Sequence, residues 1–349
     1  MFKTFQMELA GRPLIIETGK MAKQANGAVL VRYGDTVVLV ATTASKEPRE
    51  GTDFFPLTVD YEEKMYAVGK MPGGFLRREG RPGNSAILNA RLIDRPIRPL
   101  FDKRCRNDVH VVATVLSVDY DNAPELCGML GASASIGISD IPWDGPIAGV
   151  RIGRVDGKYV VNPTQEQLAE SSMNITVAGS EEAIMMVEGG ANEAPEEEVL
   201  DAIMFGHETI KELCRFQKKI IEEVGKPKRT MVFPEVPEEI DEAVAAYATE
   251  DLKKAIFDAD KLRRDGNIDA VKKAAKEHFA DIYPENGADV AESLDHLTKQ
   301  IVRDSISNEG IRPDGRKLTE IRPITCEVGL LPRVHGSALF TRGQTQALS

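Results

Sequence analysis

An arginine-rich stretch headed by an aromatic residue carries the clearest chemical signature in the sequence. It reads GGFLRREGRP at positions 73–82. Because glycine and proline oppose regular structure, we expect a loop here. An aromatic ring beside guanidinium groups suits single-stranded nucleic acid, since the ring stacks on a base for roughly 1–3 kcal/mol and arginine binds phosphate bidentately. The alternative is an ordinary surface loop whose Phe75 packs into a neighbouring core.

A second group of arginines follows in the stretch ARLIDRPIRPLF at 90–101. Helical spacing places Arg91 and Arg95 on one face, and Pro96 is expected to end or bend that helix. With Arg98, the cluster suits a phosphate group. Asp94 could instead pair with one of these arginines for purely structural reasons, and the residues alone leave both interpretations open.

The charge distribution supports a local polyanion site on an acidic chain. The 349 residues have a net charge of −11, which by itself argues against a nucleic-acid partner. Residues 76–106, however, contain nine basic and three acidic side chains, a net charge of +6 that leaves −17 for the rest. Such a chain can bind a polyanion at one place and repel it elsewhere.

Several other functions find no support in the motifs. Lys211 stands where a helical zinc-protease motif starting at His207 would need a second histidine, and no P-loop motif occurs. The five histidines show no ligand spacing, so no metal site is predicted from them. The four cysteines lie far apart without a CxxC pair, which favours a reducing, cytoplasmic setting over a disulfide framework. No apolar run approaches the roughly 18 residues of a membrane span, and the first residues do not resemble a secretory signal.

The sequence repeats itself at an offset of 309 residues. The segment GAVLVRYGDT from Gly27 matches GSALFTRGQT from Gly336 in its glycines, apolar positions and final threonine. This similarity predicts a tandem duplication. The strand pattern of the second copy has not ended at Ser349, which predicts an unpaired half of a hairpin there. Because unpaired strands leave backbone groups without partners, we expect the chain to be the front part of a longer polypeptide.

The remaining pattern predicts an α+β domain followed by helices. A hairpin is expected at 28–31 and 36–42, and Gly225 with the prolines that follow it marks a boundary. Ala, Glu, Lys and Leu dominate 238–303, which predicts three or four amphipathic helices. The other expected elements are strands at 54–61, 110–118, 147–155, 174–177 and 183–188, and helices at 85–94, 125–138 and 196–223.

Four motifs together resemble the bacterial polynucleotide phosphorylase family. They are FLRREGRP at 75–82, RLIDRPIRPLF at 91–101, FGHE at 205–208 and LLPRVHGSALFTRGQTQAL at 330–348. The resemblance covers the whole chain in order. It implies an RNase PH-like (ribosomal protein S5 domain 2-like) domain at 1–228, an all-helical domain at 236–306 and the truncated start of a second RNase PH-like domain at 312–349. Further RNA-binding modules would follow.

The family resemblance also implies an activity and its partners. Members degrade RNA from the 3′ end with inorganic phosphate, release nucleoside diphosphates, and run the reaction in reverse as polymerases. The implied cofactor is Mg²⁺, and the implied assembly is a homotrimer ring around a channel for single-stranded RNA. A role in mRNA degradation, with partner proteins of the degradation machinery (the degradosome) and no membrane, follows from the same resemblance.

The resemblance assigns roles to particular residues. In this sequence Leu76 stands where many relatives have a second aromatic residue, which implies a weaker stacking platform. Arg95 and Arg98 match an arginine-rich helix near the active centre, and His335 and Arg342 match substrate-holding positions of the second RNase PH-like domain. The residues that match the RNA-gripping loop of the channel are Phe75, Leu76, Arg77, Arg78 and Arg81.

One departure bears on catalysis. The family's aspartate-rich motif precedes a Val-Ala-Gly sequence in its second RNase PH-like domain. The equivalent in the first copy, around Met173–Ser180, is preceded by Glu170, Ser171 and Ser172, without the carboxylate pair that a metal needs. The first copy is therefore predicted to be non-catalytic, with the metal ligands in the second domain. Two hypotheses remain: the front half of an enzyme, or an RNA-binding and assembly module without turnover.

Overall fold

A computed structural model describes residues 2–49, 51–52, 54–231, 233 and 235–349. The chain forms two compact units, Met1–Phe233 and Pro234–Ser349. Within these described ranges, no helix has the length and apolar character needed to cross a bilayer.

A six-stranded sheet forms one layer of the first unit. Its strand order is β1-β2-β3-β4-β6-β5, antiparallel except for the β5–β6 pair. Alternate residues of β6, among them Val109 and Val111, are fully buried, as the period of two in a half-buried strand requires. The strands are β1 (Lys3–Leu9), β2 (Arg12–Thr18), β3 (Gly27–Tyr33), β4 (Thr36–Pro48), β5 (Leu57–Glu63) and β6 (Asn107–Ser117).

A four-stranded antiparallel sheet in the order β10-β9-β7-β8 and four α-helices complete this unit. The elements are α1 (Asn84–Ile97), α2 (Pro124–Ile138), β7 (Ala148–Val155), β8 (Lys158–Val161), α3 (Gln165–Glu170), β9 (Met173–Gly179), β10 (Ile184–Ala191) and α4 (Glu196–Val224). Helix α2 is buried from Leu126 to Ile138 and contacts strands of both sheets. A Cβ atom on its Gly131 would lie 2.5 Å from Val40 Cγ2, so glycine permits the close approach of helix and sheet.

The end of α1 refines one expectation from the sequence. Pro96 lies inside the last turn of α1, which continues one residue further to Ile97 and then tightens into a 3₁₀ turn. Proline removes one backbone hydrogen bond from the last turn. The buried face of Ile93, Pro96 and Ile97 compensates through packing, and Trp143 Nε1 donates to the Ile97 carbonyl at 3.1 Å.

The predicted strands and helices are confirmed in type, with ends that differ by a few residues. Among the strands and α-helices of the first unit, four were not predicted: β1, β2, β8 and α3. The first of these has the period-two alternation of a half-buried strand but lacks a run of β-branched residues, which weakens its signal.

The second unit contains three helices and a small sheet. Helices α5 (Glu238–Ile256), α6 (Lys261–Ala280) and α7 (Gly287–Asp304) surround a core that includes Val244, Leu252 and Leu294. A π-helical turn follows at Ser305–Glu309. Strands β11 (Ile324–Val328), β12 (Ala338–Arg342) and β13 (Thr345–Leu348) form an antiparallel sheet in that order.

The internal repeat has a structural counterpart. Strands β2-β3-β4 and β11-β12-β13 are both antiparallel meanders, with Tyr33 opposite Thr36 and Arg342 opposite Thr345 at the equivalent turns. The glycine of each turn has a positive φ, 57° at Gly34 and 62° at Gly343, a conformation that favours glycine. The expectation of an unpaired half-hairpin at Ser349 is wrong, because β13 pairs with β12 over its length.

Candidate nucleic-acid interface

The arginine loop, defined as residues 73–83, connects the 3₁₀ helix Met65–Val68 to α1. Its tip is a turn in which the Arg77 N–H donates to the Gly74 carbonyl at 3.0 Å. The Phe75 side chain is fully exposed, at 101% of the reference area, and Leu76 is 77% exposed. The alternative in which Phe75 packs into a neighbouring core therefore does not hold.

The cationic side chains of the arginine loop are available. Arg77, Arg78 and Arg81 are exposed and make no side-chain hydrogen bond or ion pair within the described ranges. Arg77 adopts a positive φ of 52°, which is uncommon for a residue with a side chain. The loop thus presents three guanidinium groups and an aromatic ring to solvent, the combination that binds single-stranded nucleic acid.

The arginines of α1 are arranged differently. Arg95 pairs with Glu188 on β10, and Arg98 pairs with Asp94 at 2.7 Å. Arg98 also donates to the Leu57 carbonyl at 3.0 Å, where β5 begins. Asp94 therefore pairs with Arg98, which confirms the structural interpretation for this arginine. Arg91 is exposed and makes no such contact within the described residues.

The end of the basic segment is also paired. Arg104 binds Asp102 at 2.8 Å, and hydrogen bonds from Arg104 lower the pKa of the Asp102 carboxyl. Arg106 donates to the carbonyls of Lys103 and Cys105. Lys103 is exposed and has no side-chain partner within the described residues. The available positive charge of the segment therefore lies in the arginine loop, at Arg91 and at Lys103.

The region before β9 does not fit a divalent metal. The Ser171 hydroxyl accepts the Arg154 N–H at 2.7 Å, so it serves the backbone of β7. Beside it lies a surface depression of about 520 Å³, whose lining includes Ser172, Asn174 and Glu188. Glu188 already pairs with an arginine, and no group of three or more potential metal ligands occurs in the described part of the chain.

The two candidates of the second unit lie near its small sheet. His335 is exposed in the connection between β11 and β12, and Arg342 is exposed at the end of β12. Arg342 lines a depression of about 300 Å³ whose other charged residues are Arg312, Arg316, Glu320 and Arg322.

One carboxylate organises two of these arginines. Asp314 pairs with Arg316 at 2.9 Å and with Arg322 at 3.4 Å. Burial acts to raise the pKa of Asp314, but the hydrogen bonds from Arg316 and the charges of Arg316 and Arg322 together outweigh it, and the pKa is lowered. Arg342 keeps its guanidinium unpaired within the described residues.

Sequence reasoning missed one residue of the arginine loop, Glu79. Its Oε1 accepts the Met65 N–H at 3.3 Å, which joins the loop to the 3₁₀ helix. A lone glutamate among arginines has no distinguishing sequence signal, because a solvated carboxylate would look the same.

Models of known families match the chain in three places. The 3′ exoribonuclease family, domain 1, matches residues 10–142, and domain 2 of that family matches 145–209. The RNA binding domain of polyribonucleotide nucleotidyltransferase matches 239–317. The first unit therefore has the fold of the 3′ exoribonuclease class, as the RNase PH-like expectation stated.

Relatives that match over the whole chain identify the family within this class. Polyribonucleotide nucleotidyltransferases from Heliobacterium modesticaldum and Syntrophomonas wolfei are each 58% identical over 347 residues, which is 99% of this chain and 49% of theirs. The enzyme of Geobacillus kaustophilus is 55% identical over 349 residues, 99% of this chain and 48% of its own. The chain belongs to the polyribonucleotide nucleotidyltransferase (polynucleotide phosphorylase) family, and it spans about half the length of these relatives.

Among solved structures, rice (Oryza sativa) Rrp46 aligns over 63% of this chain and 94% of its own, with 14% identity and a TM-score of 0.47, a likeness too weak to support a conclusion.

Proposed function

We propose that this chain is the RNA-gripping and ring-assembly half of a phosphorolytic 3′-to-5′ exoribonuclease that acts in mRNA degradation. The observation that carries the proposal is the arginine loop, with Phe75 fully exposed and three arginines free of partners in the described ranges. Family membership supports the reaction class.

The proposed reaction needs charge neutralisation more than acid–base chemistry. A phosphate oxygen attacks the terminal phosphodiester phosphorus, the bond to the preceding 3′ oxygen breaks, and a nucleoside diphosphate leaves a chain shortened by one nucleotide. Catalysis of this kind rests on positioning and on stabilising the negative charge of the transition state. In this proposal the 349-residue chain holds the RNA strand, because Phe75 stacks on a base while the loop arginines bind phosphates.

Magnesium is placed outside this chain in the proposal. The residues before β9 do not fit a divalent ion, because Ser171 is used by the backbone and Glu188 by an arginine. His335 and Arg342 would hold substrate next to ligands contributed by the region that the relatives have beyond their match. Arg95 and Arg98 remain substrate-holding candidates through the exposed parts of their side chains, 44% and 43% of the reference area.

The proposal extends to organisation and location. The domain division into 1–228, 236–306 and 312–349, a homotrimer ring around an RNA channel, and partners from the RNA-degradation machinery all come from the family resemblance. A cytoplasmic location is supported by the four free thiols.

The test separates holding RNA from degrading it. The 349-residue chain is incubated with poly(A), phosphate and Mg²⁺, and nucleoside diphosphates are quantified while RNA retention is measured on filters. We expect retention without diphosphate release, because the first copy lacks a metal-binding carboxylate pair. Robust diphosphate release would place a working active site in this chain and contradict the assignment.

The second candidate is an RNA-binding and assembly module without catalytic turnover in the 349-residue form. The absence of a carboxylate pair before β9 favours it. Both candidates share an enzymatic parent and differ in what this length does, so diphosphate release by the 349-residue chain would contradict the module.

A further inference from the structure

A single negative charge lies within the cationic arginine loop. Glu79 follows Arg77 and Arg78 and is followed two residues later by Arg81. Among the side chains of the arginine loop, and within the described residues, only that of Glu79 makes a hydrogen bond outside the loop, to the 3₁₀ helix. A carboxylate at this place opposes the binding of a polyanion, so its presence in an RNA-gripping loop calls for a physical reason.

The partner of Glu79 supplies that reason. Met65 begins a short 3₁₀ helix, where the first N–H groups have no partner within the helix. Glu79 Oε1 accepts this N–H at 3.3 Å and so satisfies one of these backbone donors. The helix is itself attached to the sheet, since the Val118 N–H donates to the Ala67 carbonyl at 3.1 Å.

Without this contact, the loop would be held mainly at its two ends. A depression of about 400 Å³ lies beside the loop, lined by Glu63, Lys64, Arg78 and Ala86 among others, so the loop does not rest on a packed surface. On the other side of Glu79, Gly80 has a φ of 74°, a left-handed backbone conformation that favours glycine. The Glu79 contact therefore fixes the loop midway between its tip and its end.

We propose that Glu79 is a positioning residue that joins the arginine loop to the 3₁₀ helix, so that Phe75 and the arginines project in a defined arrangement before RNA arrives. A loop ordered in advance does not lose its conformational entropy on binding. The proposal rests on the RNA-gripping function of the loop and adds the residue that sets its geometry.

Two substitutions separate positioning from charge. Glu79→Gln keeps an oxygen that accepts the Met65 N–H and removes the negative charge, so we expect it to retain poly(A) as tightly as the unmodified chain or more tightly. Glu79→Ala removes the contact, and we expect binding to weaken by roughly threefold to tenfold, the effect of one ordinary hydrogen bond at an exposed position. The matched control is Glu63→Ala, which removes an exposed carboxylate from the same depression without touching a loop contact.

A second measurement follows the loop without RNA. Trypsin cleaves after arginine except before proline, so we expect faster cleavage after Arg77 and Arg78 in the Glu79→Ala chain and an unchanged rate in the Glu79→Gln and Glu63→Ala chains. Equal RNA binding by the Glu79→Ala and Glu79→Gln chains, or equal cleavage rates, would overturn the positioning role. Failure of the RNA-gripping hypothesis would give a different result. In that case, replacing Phe75 and Arg77 in the loop would leave RNA retention unchanged.

Discussion

Two sets of arginines that are close in sequence have opposite environments. Those of the arginine loop have no partner in the described ranges, whereas Arg95 and Arg98 of α1 pair with Glu188 and Asp94. An unpaired guanidinium loses only hydrogen bonds to water when it binds phosphate. A paired one must also give up its carboxylate, so it contributes less to polyanion binding and more to holding α1 against the sheets. Positive charge in a sequence therefore predicts a polyanion site only where the fold leaves it unpaired.

The largest expected effect comes from the unpaired set. Replacing Phe75 by Ala and Arg77 by Gly removes a stacking ring and a phosphate contact, and glycine suits the φ of 52° at position 77. We expect RNA retention to fall by about tenfold or more, because stacking alone is worth roughly 1–3 kcal/mol per base. The slope of log affinity against log salt should become shallower by about 0.7, the value for one phosphate contact on a single strand. Filter binding across a salt series measures both, and unchanged values would count against the loop assignment.

For the paired arginines of α1 we expect a smaller effect, and one on stability rather than on RNA binding. Arg98→Gln loses the Asp94 pair and the bond to the Leu57 carbonyl, so we expect the free energy of unfolding to fall by about 1 kcal/mol. The salt dependence of RNA retention should change less than in the loop variant, because a paired guanidinium contributes less to phosphate binding. Denaturant unfolding and the same filter series test this. If Arg98→Gln made the salt slope as shallow as the loop variant does, the distinction between the two sets would be lost.

The smallest effect concerns the pair Asp102 and Arg104. The pKa of Asp102 is lowered from its ordinary value of 3.8 in the folded chain, so the unfolded chain binds more protons as the pH falls. The stabilisation is therefore present above about pH 4 and is lost as the pH drops through the lowered pKa. Asp102→Asn should flatten this part of the stability profile slightly, and less at high salt, because both side chains are partly exposed. An identical acid profile in Asp102→Asn and the unmodified chain would contradict a role for the pair.

The sequence predicted the arginine loop well because its signals are local. Glycine and proline at 73, 74, 80 and 82 specify irregular backbone whatever surrounds them. Pro96 shows how packing modifies such a preference: it lies on the buried face of α1, which ends at Ile97, one residue beyond the proline. Local preference is a reliable guide only where packing does not compete with it.

The amino-acid sequence by itself determined the family, the cationic segment, the repeat and the positions of most helices and strands, since these follow from residue type and spacing along the chain. Only the tertiary structure decided which arginines are available, because Glu188 lies more than ninety residues from Arg95 along the chain and meets it through the packing of α1 on β10. The same holds for Glu79, whose partner Met65 is an ordinary backbone N–H. Pairing depends on distances between elements, and those distances are set by the packed core.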